Sequence, residues 1–130
     1  VDKTLSILFT LSCVENERRK HIRVDVKKRD NCRFTFPIPN TDKIISGDII
    51  NISMGGALII LDNKEDRHFL SVDDLIKNVQ LQINKRVVIC DIYIIVQRDN
   101  YFGVKFIDIK QNFQNYIAKY VFDKISSPQI

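Results

Sequence analysis

Three of the eight arginines in this 130-residue chain, Arg18, Arg19 and Arg23, fall within six residues. The last two form an Arg-x-x-x-Arg pair. A guanidinium group is a planar fork whose parallel N–H bonds suit phosphate oxygens or the O6/N7 edge of guanine. Positions four apart share a face in a strand and are near neighbours on a helix, so Arg19 and Arg23 converge in either conformation. Arg23 has the opposite parity to Ile22, Val24 and Val26, which predicts that it points away from the interior. A pair of this kind standing alone usually marks a solvated basic surface. Downstream, "NISMGG", Asn51 to Gly56, supplies a second set of polar groups. With Ile50 and Ile52 assigned to the interior, Asn51 and Ser53 face outward like Arg23, offering an amide and a hydroxyl. Gly55 and Gly56 allow a tight turn and the close approach of a ligand to backbone. Taken alone, this stretch reads rather as a polar edge strand ending in a glycine turn.

Catalysis finds little support. The two histidines, His21 and His68, have no recognisable nucleophile or metal partner motif. His21 sits among arginines, where it makes a poor base, and His68 falls in a polar connection. Asp73-Asp74 reads as a surface or helix-start feature. Cys13, Cys32 and Cys90 are odd in number, far apart and without metal-ligand spacing, so neither a disulfide framework nor a zinc site is expected. A reducing, cytoplasmic setting is the expectation, with no apolar run long enough for a membrane span. The net charge of +4 permits an anionic ligand. A nucleic-acid-binding barrel is disfavoured, because such surfaces interleave exposed aromatics with basic residues, whereas most phenylalanines here fall on inward parity.

The elements that position these groups are mostly strands. Isoleucine and valine alternate with polar residues at the period of half-buried strands. Leu5, Ile7, Phe9 and Leu11 form the first alternating set, followed by Cys32, Phe34 and Phe36, and by Val79, Leu81 and Ile83. The longest run, "RVVICDIYIIVQR", places Val88, Cys90, Ile92, Ile94 and Val96 on one face, with Arg98 on inward parity at its end. Asp99-Asn100 supplies the turn into "YFGVKFI", where Phe102, Val104 and Phe106 point inward. The period then changes to that of an amphipathic helix: Phe113, Tyr116, Ile117, Tyr120, Val121 and Ile125. An all-β antiparallel barrel closed by one C-terminal helix is expected.

Arg19-xxx-Arg23 followed by Asn51-x-Ser53-x-x-Gly56, with "YFGVKF" and Gly103 downstream, resembles the PilZ domain family, bacterial receptors for cyclic di-GMP. The resemblance runs from Glu17 to the C-terminal helix, which sets residues 17–130 as a PilZ domain. It implies a six-stranded antiparallel barrel plus helix, with the nucleotide gripped on the barrel's outer surface. The site it implies comprises Arg18, Arg19, Arg23, Asn51, Ser53, Gly55 and Gly56, with Arg98 as a further candidate. The family often carries Asp where Asn51 stands; the amide has one acceptor oxygen where the carboxylate has two. An arginine at position 18, just before the pair, implies two nucleotides per site. Residues 1–16 would be a linker or the last strand of an upstream domain, as in two-domain YcgR-like or tandem members. The implied function is that of a non-enzymatic cyclic di-GMP receptor whose arm or interdomain geometry changes on binding and regulates a partner. The alternative is a PilZ-like protein-interaction module that works without nucleotide.

Overall fold

The computed structural model describes residues 22–126. Its strands are β1 (Val24–Asp25), β2 (Arg33–Pro37), β3 (Ile44–Ile52), β4 (Gly56–Leu61), β5 (Leu75–Ile83), β6 (Arg86–Arg98) and β7 (Tyr101–Ile107). A C-terminal helix, α1 (Gln111–Ser126), follows. Six strands close in the order β3-β2-β5-β6-β7-β4, with β4 returning to β3, all antiparallel. Closure removes the open edges that an isolated sheet would present. β1 is an additional strand on β3, with Val24 opposite Ile52 and Asp25 opposite Asn51. The chain then leaves the sheet through a 3-10 turn at Lys28–Asp30 and rejoins β3 as β2. The expected barrel and helix are therefore both present.

Alternation fills the interior. Phe34, Phe36, Ile45, Leu81, Ile92 and Phe102 are among the fully buried side chains, and burying one of this size contributes roughly 1.5–3 kcal/mol. Cys32 and Cys90 are small core residues, as expected; burial pushes the Cys90 thiol up to about 12. Gly47 occupies an inward position, where a Cβ would lie 2.6 Å from the Phe34 ring and 2.0 Å from the Ile60 carbonyl oxygen. The aromatic ring occupies the volume a side chain would need. Left-handed backbone positions are taken by Asn and Asp, including Asn84 in the β5–β6 loop and Asp99 in the expected Asp99-Asn100 turn. Their short polar side chains tolerate that conformation better than other non-glycine residues.

Strict alternation fails in β3 and β6. The register shifts between Ile49 and Asn51, and again between Ile94 and Val96. A bulge adds one residue to a period of two, so the side chains beyond it change face. Ile50, expected inside with Ile52, instead packs outside against Leu58, while Ile49 and Ile52 fill the core. Val96, expected to share the face of Val88 to Ile94, likewise turns outward against Leu58.

Helix α1 seats Ile117, Tyr120 and Val121 on the barrel, with Phe113 and Tyr116 at the margin of the core. The Tyr116 hydroxyl donates to the Ile83 carbonyl (2.9 Å), and the Arg86 guanidinium lies over the Phe113 and Tyr116 rings. Ile125, expected on the same face, remains half exposed. The last turns of the helix are tied to the turn after β1: the Tyr120 hydroxyl donates to Asp30 Oδ2 (2.9 Å), and Lys124 pairs with the same carboxylate. No helix among the described residues is long and apolar enough to cross a membrane.

Candidate functional site

The end of β3, its turn into β4 and the start of β1 meet on the outside of the barrel. Cross-strand partners point the same way, so the pairings Asp25 with Asn51, Asn51 with Leu58, and Leu58 with Gly103 define one outer row. Gly103 in turn faces Val96. Asn51 carries the chemistry of this row. Its side-chain oxygen is buried and has no hydrogen-bond partner among the described residues, although buried polar atoms nearly always find one. An acceptor in this state can receive an N–H from a group outside the described residues. Arg23 lies two residues before Asp25, which is the residue opposite Asn51, and so leads into the same outer face. Arg18 and Arg19 lie outside the described residues.

Ser53 does not present a free hydroxyl, contrary to expectation. Its side chain is 1 % exposed, and Oγ accepts the backbone N–H groups of Gly55 (3.1 Å) and Gly56 (3.2 Å). The physical reason is that β3 ends at Ile52, so strand parity no longer aims the next side chain. The hydroxyl folds back to shape the turn, while the Ser53 amide donates to the Gly56 carbonyl (2.8 Å). Nor do the glycines serve a left-handed turn, since no described glycine has positive φ. Gly56 is required by packing: a Cβ there would lie 2.2 Å from the Val104 carbonyl oxygen. β4 and β7 approach closely at this point, and the Gly55 carbonyl accepts from the Phe106 amide (2.9 Å).

Arg98 is displaced from its expected inward position. The β6 bulge leaves it opposite Tyr101, which packs on the outer cluster with Leu58. The guanidinium is thereby carried to the outer face, one row from Asn51. Sequence reading missed the apolar residues of that face: Ile50, Leu58, Ile95, Val96 and Tyr101. One signal was available. "ALIIL" is apolar at every position, which implies that both faces of β4 are covered.

His68 stands on the surface beside Glu65, and no metal-binding group of His, Cys, Asp and Glu occurs among the described residues. Asp73 accepts from the exposed Tyr93 hydroxyl (2.6 Å), which raises the tyrosine pKa.

A sequence profile of the PilZ domain matches residues 17–123. The chain belongs to the PilZ domain family. A search of curated proteins finds no match. Solved structures give the same fold. The MrkH–c-di-GMP complex of K. pneumonia shares 23 % identity at a TM-score of 0.67, over 83 % of this chain and 52 % of that one. The PilZ domain of YcgR from Escherichia coli, with c-di-GMP, shares 11 % at a TM-score of 0.68, over 83 % and 92 %. The Bacillus subtilis inhibitor of motility MotI/DgrA shares 16 % at 0.59, over 85 % and 53 %. This PilZ chain thus spans about half the length of MrkH and of MotI/DgrA. Cyclic di-GMP is the ligand in the MrkH and YcgR complexes.

Proposed function

We propose that this PilZ domain is a receptor for cyclic di-GMP, held by Arg18, Arg19 and Arg23 with Asn51 on the outer face of the barrel. The observation that carries the reading is the buried Asn51 oxygen, unpartnered among the described residues, on the row that β1 and Arg23 lead into. Guanine offers N1–H and N2–H donors at one edge, and a single amide oxygen accepts from them. The arginine forks supply the complementary part, gripping phosphate oxygens or the O6/N7 edge. Ser53 acts by fixing the turn rather than by touching the ligand with a free hydroxyl, since Oγ is engaged by two amides. Binding requires no covalent chemistry. Its output is geometric: a ligand bridging the arginines to the barrel fixes the chain leading to an upstream domain or partner. Calorimetric titration with cyclic di-GMP, using GTP and cyclic GMP as controls, tests the reading. Saturable binding of the cyclic dinucleotide alone is expected; its absence from folded protein overturns the assignment and favours a nucleotide-independent interaction module.

A further inference from the structure

Between β1 and β2 the chain leaves the edge of β3 and returns to it almost at once. The Val26 amide donates to the Ile50 carbonyl (2.9 Å), and the Cys32 carbonyl accepts from the Ile49 amide (3.0 Å). Residues 27–31 therefore arch outward over two neighbouring β3 residues, with Asn31 turning the chain back in a left-handed conformation. An open hollow of about 230 Å³ remains under the arch. Val26, Ile50 and Ile60 give it half-buried aliphatic walls, and Lys27 and Lys28 line it from the arch. Both lysines are exposed, and neither has an ion-pair partner among the described residues. Asp48, the acid that lines the hollow, is held by Arg33 at 2.7 Å, and Asp62 shares that guanidinium. The lysines are thus the uncompensated charges of the rim. Clefts that enclose whole small molecules run to roughly 300–1,000 Å³, so this hollow has the size for one bulky side chain.

We propose that the hollow is a docking point for an acidic, extended segment of a partner protein. The segment seats one apolar side chain against Val26, Ile50 and Ile60 and sets its carboxylates beside Lys27 and Lys28. Interfaces concentrate their energy in anchors of this kind, buried in pockets of the partner, and opposite charge around the rim steers the approach. A nucleic acid would also meet the lysines, but no aromatic lines the hollow to stack a base. None of Arg18, Arg19, Arg23 and Asn51 lines it, so the inference stands apart from the cyclic di-GMP reading. Its place in the fold gives it a use. Ile50 directly precedes Asn51, and the arch directly continues β1, so floor and roof both adjoin the outer row of polar groups.

NMR of the full chain, labelled at isoleucine methyls and backbone amides, tests this. The probe is a blocked peptide of one phenylalanine flanked on both sides by aspartates and glutamates; its control carries serine in place of the phenylalanine. The phenylalanine peptide should shift the Ile50 and Ile60 methyls and the amides of residues 27–31, saturably, and the serine peptide should not. Reversing both rim charges, Lys27→Glu with Lys28→Glu, should weaken binding about tenfold and remove most of its salt dependence. The same reversal at the exposed Lys77 and Lys119 should leave it unchanged. Ile60→Phe, which fills the hollow from its floor, should abolish the shifts; should that variant fail to fold, the lysine reversals carry the test. Absence of shifts at these positions, or equal shifts from the serine peptide, overturns the proposal. Two further outcomes replace the occupant and overturn it as well. Nuclear Overhauser contacts from residues 1–14 to the Ile50 and Ile60 methyls would assign the hollow to the chain's own N-terminal stretch. Shifts of those methyls on concentrating the protein alone would assign it to a second copy.

Discussion

Side chains from two distant stretches converge on one outer face, and their substitutions should separate base reading from charge. Losing a charge-assisted hydrogen bond removes roughly 1.5–3 kcal/mol, so Arg23→Ala should weaken cyclic di-GMP binding about ten- to a hundredfold. Asn51→Ala should penalise cyclic di-GMP more than cyclic di-AMP, because the lost acceptor faces guanine donors. Paired titrations check both, and equal losses for the two nucleotides would remove Asn51 as a base reader. Ser53→Ala behaves differently. It strips the acceptor from two backbone amides, so about 1–3 kcal/mol of stability should disappear, read as a lower denaturant midpoint. At position 18, Arg18→Leu should change the stoichiometry from two nucleotides per site to one. A value of one in the unaltered chain would refute the paired arrangement.

Between elements, close approach at two places governs how the site is held. β4 and β7 meet at Gly56, where a Cβ would lie 2.2 Å from a backbone oxygen. Gly56→Ala should therefore force the strands apart and cost about 1–3 kcal/mol, measured by chemical denaturation. The second place is Asp30, which accepts from Tyr120, Lys124 and the Lys27 amide. This one carboxylate joins the helix to the segment between β1 and β2. Tyr120→Phe should loosen that joint with little change in the barrel, seen as faster amide exchange at Lys27–Asn31 alone.

For the molecule as a whole, two carboxylates, Asp30 and Asp62, contribute to the acid limit of stability. Burial pushes the Asp30 carboxyl up, but hydrogen bonds from Lys124, Tyr120 and the Lys27 amide together hold it below its ordinary value of 3.8. Arg33 beside Asp62 holds that carboxyl below 3.8 as well, against a smaller effect of burial. A group depressed in the folded state binds fewer protons there than in the unfolded chain. Its contribution is present above the unfolded value and is lost as pH falls through the folded one. Denaturation midpoints should thus stay level near neutrality and fall below pH about 4, and Asp62→Asn should flatten part of that fall. At the same scale, nucleotide binding should slow amide exchange across residues 15–22. Tight binding without that change would place the output elsewhere.

The sequence by itself determined the strands, the helix and the chemistry of the motif, because each depends on local quantities. Alternation in "RFTF" and "YFGVKF", the Asp99-Asn100 turn and the helical period after Gln111 all follow from neighbours a few residues apart. Residue types likewise marked Arg23 and Asn51 as candidate recognition groups. Tertiary structure alone decided which way several of them point. Ile50, Val96 and Arg98 changed face because bulges in β3 and β6 are set by the partner strand, and a pattern read along one strand carries no record of its neighbour. Ser53 turned inward because the amides of Gly55 and Gly56 capture its hydroxyl once the turn closes. Gly56 owes its identity to a backbone that lies distant in sequence and adjacent in space, the carbonyl of Val104. Apart from the Ser53 turn, whose contacts are local, each of these outcomes depends on a contact between strands, and such a contact exists only after the barrel has closed.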